Sequence, residues 1–115
     1  MANNFNEAEL MDRVDNDVAF LADTVQMLET DGRALMDEIR QAAATGDGPA
    51  LGRAAHAIKG MISNFCSPAA HASASEVESL GKRGDMAAAP EAVRVLDARL
   101  EELIADLTTF LGNRA

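Results

Sequence analysis

His56 is the residue of this chain best suited to chemistry. Residues 51–65 read LGRAAHAIKGMISNF, and their apolar side chains recur at steps of three and four: Leu51, Ala55, Ile58, Ile62 and Phe65. A helix advances about 100° per residue, which places His56 about 140° from the centre of that apolar seam. The pattern therefore predicts that His56 points to solvent. An exposed imidazole is mostly neutral at cytoplasmic pH and can act as a nucleophile.

Two glycines, a serine and a lysine surround His56 on the predicted helix. Gly52, Gly60 and Ser63 share its outer face, and Lys59 follows it by three residues. A glycine inside a helix costs about 0.5–1 kcal/mol relative to alanine, so an absent side chain at Gly60 favours access by another protein. Lys59 is close enough to balance the charge of a phosphoryl group on the ring. By spacing alone, an ordinary surface histidine explains the pattern about equally well.

A long helix precedes this stretch. It opens near Asn16 or Asp17, either of which can cap it, and it ends at Gly46–Gly48. Its apolar residues keep one phase through Gly32, which predicts a single helix with Gly32 as the point of any bend. The seam consists of Val18, Leu21, Val25, Leu28, Gly32, Leu35, Ile39 and Ala42.

Prolines mark the starts of the later helices. Pro49 and Pro68 favour the first turns of helices at about 49–65 and 68–82, with Gly48 and Ser67 as caps. A last helix begins near residue 85, holds Pro90 in its first turn and ends near residue 111.

The number and patterning of these helices predict the fold class. Residues 1–6 form a polar lead-in and residues 7–14 a short helix, while the four longer helices are joined by short loops. We expect an all-α, antiparallel four-helix bundle with a short additional N-terminal helix. The 115 residues suffice for a single domain with one core. The third long helix buries least, because its inward positions are small: Ala70, Ser73 or Ala74, Val77 and Leu80.

The charge of the chain excludes several classes of function. Its formal net charge is −9, and it lacks the dense basic patch of a nucleic-acid binder. An anionic membrane surface would repel it, no apolar run is long enough to span a bilayer, and no N-terminal signal is present. The single cysteine, Cys66, cannot form an intrachain disulfide. We therefore expect a cytoplasmic location.

Other reactive side chains favour structural roles. His71, the second histidine, lies beside the inferred core face, and a His56–His71 metal pair would offer only two ligands on an outer surface. Cys66 lies at a helix end without the partners that activate a thiol. The carboxylates do not have the spacing of a calcium loop, so they indicate a solvated acidic helix face.

The residues around His56 resemble a known family. AHAIKG at 55–60 is similar to the His-x-x-Lys-Gly signature of histidine-containing phosphotransfer (HPt) domains. The Ala42–Asp47 turn, Asn64 with Phe65, Glu78, and the run KRGD at 82–85 also lie where that family places them. The resemblance covers nearly the whole chain. It departs at two positions, Cys66 and Ala70, where the family more often has glycine and a larger apolar residue, and this departure concerns packing of the third helix.

The resemblance implies a phosphorelay intermediate. His56 would accept a phosphoryl group, Lys59 would help neutralise it, and Gly60 would leave room for a receiver. The partners would be response-regulator receiver domains, a hybrid histidine kinase, or both, and the chain would be a monomer or a domain of such a kinase. The receiver would supply an aspartate and its Mg²⁺, so no bound cofactor is expected. No nucleotide-binding motif is present, and Ala57 replaces the acidic residue that follows the histidine in sensor-kinase dimerising domains.

Basic residues predict where a receiver docks. The predicted docking positions all lie near His56. The positively charged ones would make this face locally positive in an acidic chain. They are Gly52, Arg53, Ser63, Lys82 and Arg83.

Two alternatives use the same bundle. A binding module would dock a receiver or kinase without accepting phosphate, although the joint presence of His56, Lys59 and Gly60 argues against it. A phosphatase would orient water with a carboxamide or acid that reaches into the receiver. The helical wheel places no such residue beside His56 on the exposed face, since Asn64 points elsewhere.

Overall fold

A computed structural model describes residues 5–114, which form helices and connecting turns and no strand. The six α-helices are α1 (Glu7–Arg13), α2 (Val18–Met27), α3 (Arg33–Thr45), α4 (Gly48–Ile62), α5 (Pro68–Arg83) and α6 (Ala89–Gly112). One π-helical turn, Leu28–Gly32, joins α2 to α3, and a 3₁₀ turn, Ser63–Phe65, follows α4. None of these helices is long and apolar enough to cross a membrane.

The predicted long helix is continuous, but it changes phase at the π turn. Gly32 has ordinary helical dihedrals, so the chain does not break there. A π turn inserts an extra residue into the helix, and the first buried position after Gly32 is Met36, one later than predicted, while Ile39 and Ala42 are buried as predicted. Met36 is therefore fully buried, whereas Leu35 of the predicted seam is partly buried and packs against the edge of the core.

Side chains cap three of the helices at their N-termini. Asn6 and Asp17 each accept a hydrogen bond from the backbone N–H three residues on. At α4 the cap is Asp47, which accepts from Ala50 N at 3.1 Å, so the prediction of Gly48 as the cap is corrected by one residue. At α5, Ser67 occupies the cap position, but its side chain makes no capping hydrogen bond.

The helices pack as an antiparallel bundle around one apolar core, as the sequence predicts. Helix α4 packs on α3 and α5, and α6 closes the bundle against α3 and α5. The most completely buried large side chains come from every α-helix except α5, and one comes from the π turn: Leu10, Leu21, Leu28, Met36, Ile39, Leu51, Ile58, Ile62, Leu96, Leu100, Leu103 and Leu107. Burying an aliphatic side chain of this size stabilises a fold by about 1.5–3 kcal/mol, so Leu51, Ile58 and Ile62 hold α4, the helix that carries His56, firmly in the core.

Helices α4 and α5 approach each other through glycines. A β-carbon added to Gly81 would lie 2.6 Å from Gly52 N and 2.8 Å from Gly48 O. Both contacts are with backbone atoms, so the two helices could not stay this close with any larger residue at that position. The backbone of α5 therefore lies directly against the helix that carries His56.

The N-terminal segment packs an apolar side chain into the core, although the sequence predicts a polar lead-in. Phe5, assigned above to a polar lead-in, is 5% exposed, and its ring meets that of Phe110 edge to face at 5.4 Å. Arg114 stacks over the same Phe110 ring at 4.0 Å. Asn6 N donates to Cys66 O at 2.9 Å, which ties this segment to the α4–α5 connection. Residues 1–4 of the predicted lead-in lie outside the described residues.

Candidate functional site

The site is centred on a buried carboxylate, Glu78 of α5. Its side chain is 5% exposed and lies beside Val77 on the face of α5 that packs against α4. A buried carboxylate is costly unless it is paired and hydrogen-bonded. Glu78 meets that requirement with three nitrogen atoms from α4 and α5.

Each Glu78 oxygen has defined partners. Oε1 lies 2.5 Å from Lys59 Nζ. Oε2 accepts from His56 Nδ1 at 2.9 Å and also lies 2.8 Å from Lys82 Nζ. His56 and Lys59 come from α4, and Lys82 comes from the next turn of α5. Both lysines of the chain thus meet on one carboxylate.

These partners keep Glu78 ionised. The hydrogen bond from Lys59, followed by that from Lys82, lowers the pKa of Glu78 to about 2. Burial opposes the shift, and the hydrogen bond with His56 adds to it. The carboxylate is therefore negatively charged throughout the neutral range.

An ionised carboxylate selects one tautomer of His56. A carboxylate without a proton can only accept hydrogen bonds, so Nδ1 of the ring must carry the hydrogen that it donates to Glu78. In the neutral imidazole the other nitrogen, Nε2, then holds a free lone pair. The His56 side chain is 69% exposed. The arrangement therefore presents Nε2 as a nucleophile in solvent, with the ring held from behind.

The predicted outer face of α4 divides into an open part and a covered part. A β-carbon added to Gly60 would meet no described atom within 4 Å, and Ser63 is exposed, with its hydroxyl donating to Gly60 O at 2.7 Å. Gly52, in contrast, is buried, because the Lys82 stem and the α5 backbone cover it. The prediction that Gly52 lies on the open face beside His56 is therefore wrong, and this glycine serves helix packing.

The other predicted docking residues include two on α5, Lys82 and Arg83, and one on α4, Arg53, which lies between the α3 and α5 sides. Arg53, Lys82 and Arg83 are exposed, and Arg83 donates to Ser79 Oγ at 2.7 Å. A shallow groove runs between α4 and α5 beside the imidazole. It is lined by Gly48, Pro49, Gly52, Arg53, His56, Glu78 and Lys82.

The interpretation of the sequence missed the function of Glu78. The helical wheel of α5 marked its small and aliphatic residues as inward and left Glu78 outside the site. The wheel predicted no acid beside His56 on the exposed face, and the acid that does adjoin His56, Glu78, is buried and held by two lysines, so it cannot reach outward as a phosphatase residue would. One signal was available: Glu78 lies between Val77 and Gly81, beside the apolar stripe of a weakly amphipathic helix.

The remaining reactive side chains stay apart from this site. His71 is exposed and contributes to a separate depression with Ser67 and Cys66. Burial raises the pKa of the Cys66 thiol, which disfavours the reactive thiolate. Within residues 5–114, no three His, Cys, Asp or Glu side chains are grouped so that they could hold a metal ion.

The backbone conformation at Cys66 explains why the family more often has glycine at this position. It adopts a left-handed conformation, with φ +54° and ψ +46°, at the turn between α4 and α5. Glycine enters this region without the steric cost that a β-carbon brings, which is about 1–2 kcal/mol. The position therefore favours glycine for conformational reasons, and Cys66 occupies it at a cost to stability.

Comparison with known proteins identifies the family. The family model of the Hpt domain matches residues 23–106, which include the whole of α3, α4 and α5. No curated protein and no solved structure matches the chain. Hpt domains are phosphocarrier modules of two-component signalling that interact with receiver domains and kinases and have no ATP site of their own. The match covers well over half of the chain, which therefore belongs to the histidine-containing phosphotransfer domain family.

Proposed function

We propose that this chain is a phosphorelay intermediate that accepts a phosphoryl group from a receiver aspartate on His56 Nε2 and passes it to another receiver. The observation that carries this proposal is the hydrogen bond of 2.9 Å between His56 Nδ1 and the buried Glu78 carboxylate. It leaves Nε2 as the free nucleophile on a side chain that is 69% exposed. Family membership supports the reaction class, and the geometry supports the atom.

The chemical step is a displacement at phosphorus. The Nε2 lone pair forms a bond to phosphorus, while the bond between phosphorus and the aspartyl oxygen breaks and its electrons return to the receiver carboxylate. The proton on Nδ1 stays in its hydrogen bond with Glu78, so the phosphorylated ring is positively charged. The adjacent carboxylate stabilises that charge. A cationic ring leaves as neutral imidazole when the next receiver attacks, so the step is reversible.

Lys59 and Gly60 support this step in different ways. Lys59 is bound to Glu78 Oε1 and is 26% exposed, and its positive charge would help to balance that of an added phosphoryl group. Gly60 leaves open space one helical turn beyond His56, which suits the approach of a receiver loop. Exposed Arg53 and Arg83 would attract an acidic receiver to the same side. Gly52 acts indirectly, because it brings α5 against α4.

The same proposal covers the source of Mg²⁺, the cellular location and the oligomeric state. The receiver, not this chain, would bring the Mg²⁺ needed at its aspartate, and the protein would act in the cytoplasm as a monomer or as one domain of a hybrid kinase. The formal net charge of −9 suits a protein that stays apart from nucleic acids and anionic membranes.

The test is phosphate transfer from a phosphorylated, Mg²⁺-loaded receiver to the wild-type chain and to two matched variants. His56→Gln should abolish an acid-labile, alkali-stable label. His71→Gln removes the other exposed histidine and should leave labelling within about twofold of wild type, because surface substitutions of this kind perturb a fold little. Label retained in His56→Gln, or lost only in His71→Gln, would contradict the assignment. Specific binding of receivers without any label would favour the docking-module alternative.

A further inference from the structure

The two lysines on Glu78 differ in how firmly they are held. Lys59 is 26% exposed and lies 2.5 Å from Oε1, whereas Lys82 is 69% exposed and lies 2.8 Å from Oε2. An ion pair with a solvated lysine contributes little and exchanges readily, since water replaces the contact. Lys82 is therefore the ammonium group that can leave Glu78 at small cost, while Lys59 remains.

Lys82 also lies on the side of Glu78 that the imidazole occupies. Its Nζ and His56 Nδ1 bind the same oxygen, Oε2, so the two nitrogens are no further apart than those two short contacts laid end to end. Lys59 binds the opposite oxygen. Lys82 and His56 both line the groove between α4 and α5, and Lys59 is not among the residues that line it.

The stem of Lys82 is guided towards His56 by Gly52. A β-carbon at Gly52 would lie 3.6 Å from Lys82 Cγ, which shows that the stem crosses α4 one turn before His56. Lys59 lies beyond His56 along the axis of α4, three residues after it. The imidazole thus stands between a firmly held cation and a mobile one.

The charges at the site leave one ammonium group in excess. Two lysines share a single carboxylate, and His56 is neutral in the tautomer that donates to Glu78. A phosphoryl group brings close to two negative charges at neutral pH. A lysine on a flexible stem can follow such a group as a point charge, without the fixed geometry that an arginine fork requires.

We propose that Lys82 is the cation that binds the phosphoryl group: when His56 Nε2 is phosphorylated, the Lys82 ammonium moves from Glu78 Oε2 to the phosphoryl oxygens, while Lys59 stays on Oε1. This inference rests on the proposed function. It differs from the role implied by the family resemblance, in which Lys59 is the residue that neutralises the phosphate. Here Lys59 acts as the positioning residue that holds Glu78, and Lys82 makes the direct contact.

The experiment uses phosphoramidate, a small phosphate donor, so that no receiver is needed. Nε2 attacks its phosphorus and ammonia leaves. The variants are Lys82→Gln, Lys82→Arg and Lys59→Gln, with Arg94→Gln as the control. Arg94 is 70% exposed, close to the 69% of Lys82, and is paired with Glu91 on α6. The measurements are the rate of labelling and the pKa of the phosphoryl group followed by ³¹P NMR.

Lys82→Gln should slow labelling about fivefold, the effect of losing one solvated charge contact. It should also raise the phosphoryl pKa, because the charge that favours the dianion is gone. Lys82→Arg should restore both, and Arg94→Gln should match wild type. Because unfolding would also remove this charge from the phosphoryl group, Lys82→Arg is the variant that separates contact from structure: it changes the side chain but keeps the charge.

The contrary results are distinct. If Lys82→Gln leaves both quantities unchanged, or if only Lys59→Gln raises the phosphoryl pKa, Lys82 does not bind the phosphoryl group, and the proposed function is unaffected. If the wild-type chain takes no label at His56 from phosphoramidate or from any phosphorylated receiver, the proposed function fails and this inference fails with it.

Discussion

The α4–α5 and α3–α6 interfaces of the bundle place charge in opposite ways. Between α3 and α6, Arg33 meets Glu101 through two hydrogen bonds of 2.7 and 3.0 Å, and Arg40 meets Asp97 at 3.0 Å. All four side chains are between 40% and 49% exposed. Between α4 and α5, three nitrogen atoms converge on one carboxylate that is 5% exposed.

The two interfaces differ in how strongly their charges constrain the neighbouring side chains. Exposed ion pairs contribute little to stability and impose little on their neighbours. A buried acid with several donors fixes the position and the protonation of each donor, at a cost in desolvation. The glycines of the α4–α5 interface allow this arrangement, because only a close approach of the two helices lets Glu78 reach His56 and Lys59 together.

The largest expected effect comes from separating the two helices. In Gly81→Ala the new β-carbon would meet the α4 backbone at 2.6–2.9 Å, so α5 must move. Overpacking of this kind costs about 1–3 kcal/mol, and we expect the free energy of unfolding in urea to fall by about 3 kcal/mol. Labelling of His56 should slow as well. Unchanged stability would show that the glycine contact does not hold the interface together.

Neutralising one carboxylate in each interface compares them directly. Glu78→Gln keeps the shape of the side chain but leaves Lys59 without its negative partner, and hydrogen bonds to charged groups are worth about 1.5–3 kcal/mol. We expect a loss of about 2 kcal/mol in urea unfolding and roughly tenfold slower labelling of His56. Glu101→Gln should change stability much less and leave labelling intact. Equal effects of the two substitutions would remove the distinction between the interfaces.

Acid should erase the contribution of Glu78 to stability. Its pKa in the folded chain is about 2, well below the ordinary value of 4.5, so the unfolded chain binds more protons between these values. The stabilisation is therefore fully present above about pH 4.5 and is lost as the pH falls towards 2. In urea unfolding at successive pH values, the stability difference between wild type and Glu78→Gln should narrow over this range. A constant difference would mean that the pKa is not lowered.

The smallest expected effect lies at the open part of α4. Gly60→Ala adds a methyl group that meets no described atom within 4 Å, and alanine is favoured over glycine inside a helix by about 0.5–1 kcal/mol. Stability should therefore rise by up to this amount, in contrast to Gly81→Ala. Transfer from a receiver should slow slightly, while labelling by phosphoramidate should not. A fall in stability would show that Gly60 packs against the fold.

Much of the fold could be predicted from single-helix periodicity. The bundle, the bounds of α4 within a few residues and the exposure of His56 all follow from one stripe of apolar residues. Periodicity failed where a neighbour decides the outcome. Gly52 lies within about 40° of His56 on its own helical wheel, but α5 covers it. Glu78 is buried because His56 and Lys59 of α4 bind its carboxylate. A helical wheel of α5 alone does not include those partners.

The apolar periodicity could not predict the π turn or the left-handed conformation of Cys66, for a different reason. The apolar seam reads smoothly through Gly32 with either Leu35 or Met36 as its next member, so an inserted residue leaves no trace in the sequence. Cys66 stands at φ +54° without glycine at that position. The resemblance to the family predicted site residues on α4, but the structure was needed to show which carboxylate His56 and Lys59 bind.

The measurement that tests the central claim most directly is the identity of the phosphorylated nitrogen of His56. Because Glu78 holds the hydrogen on Nδ1, the account predicts that ¹⁵N and ³¹P NMR of the phosphorylated chain will show phosphorus bonded to Nε2. The unphosphorylated chain should show the Nδ1–H tautomer, and Glu78→Gln should weaken that preference. Phosphorus on Nδ1, or a ring with its hydrogen on Nε2, would contradict the account.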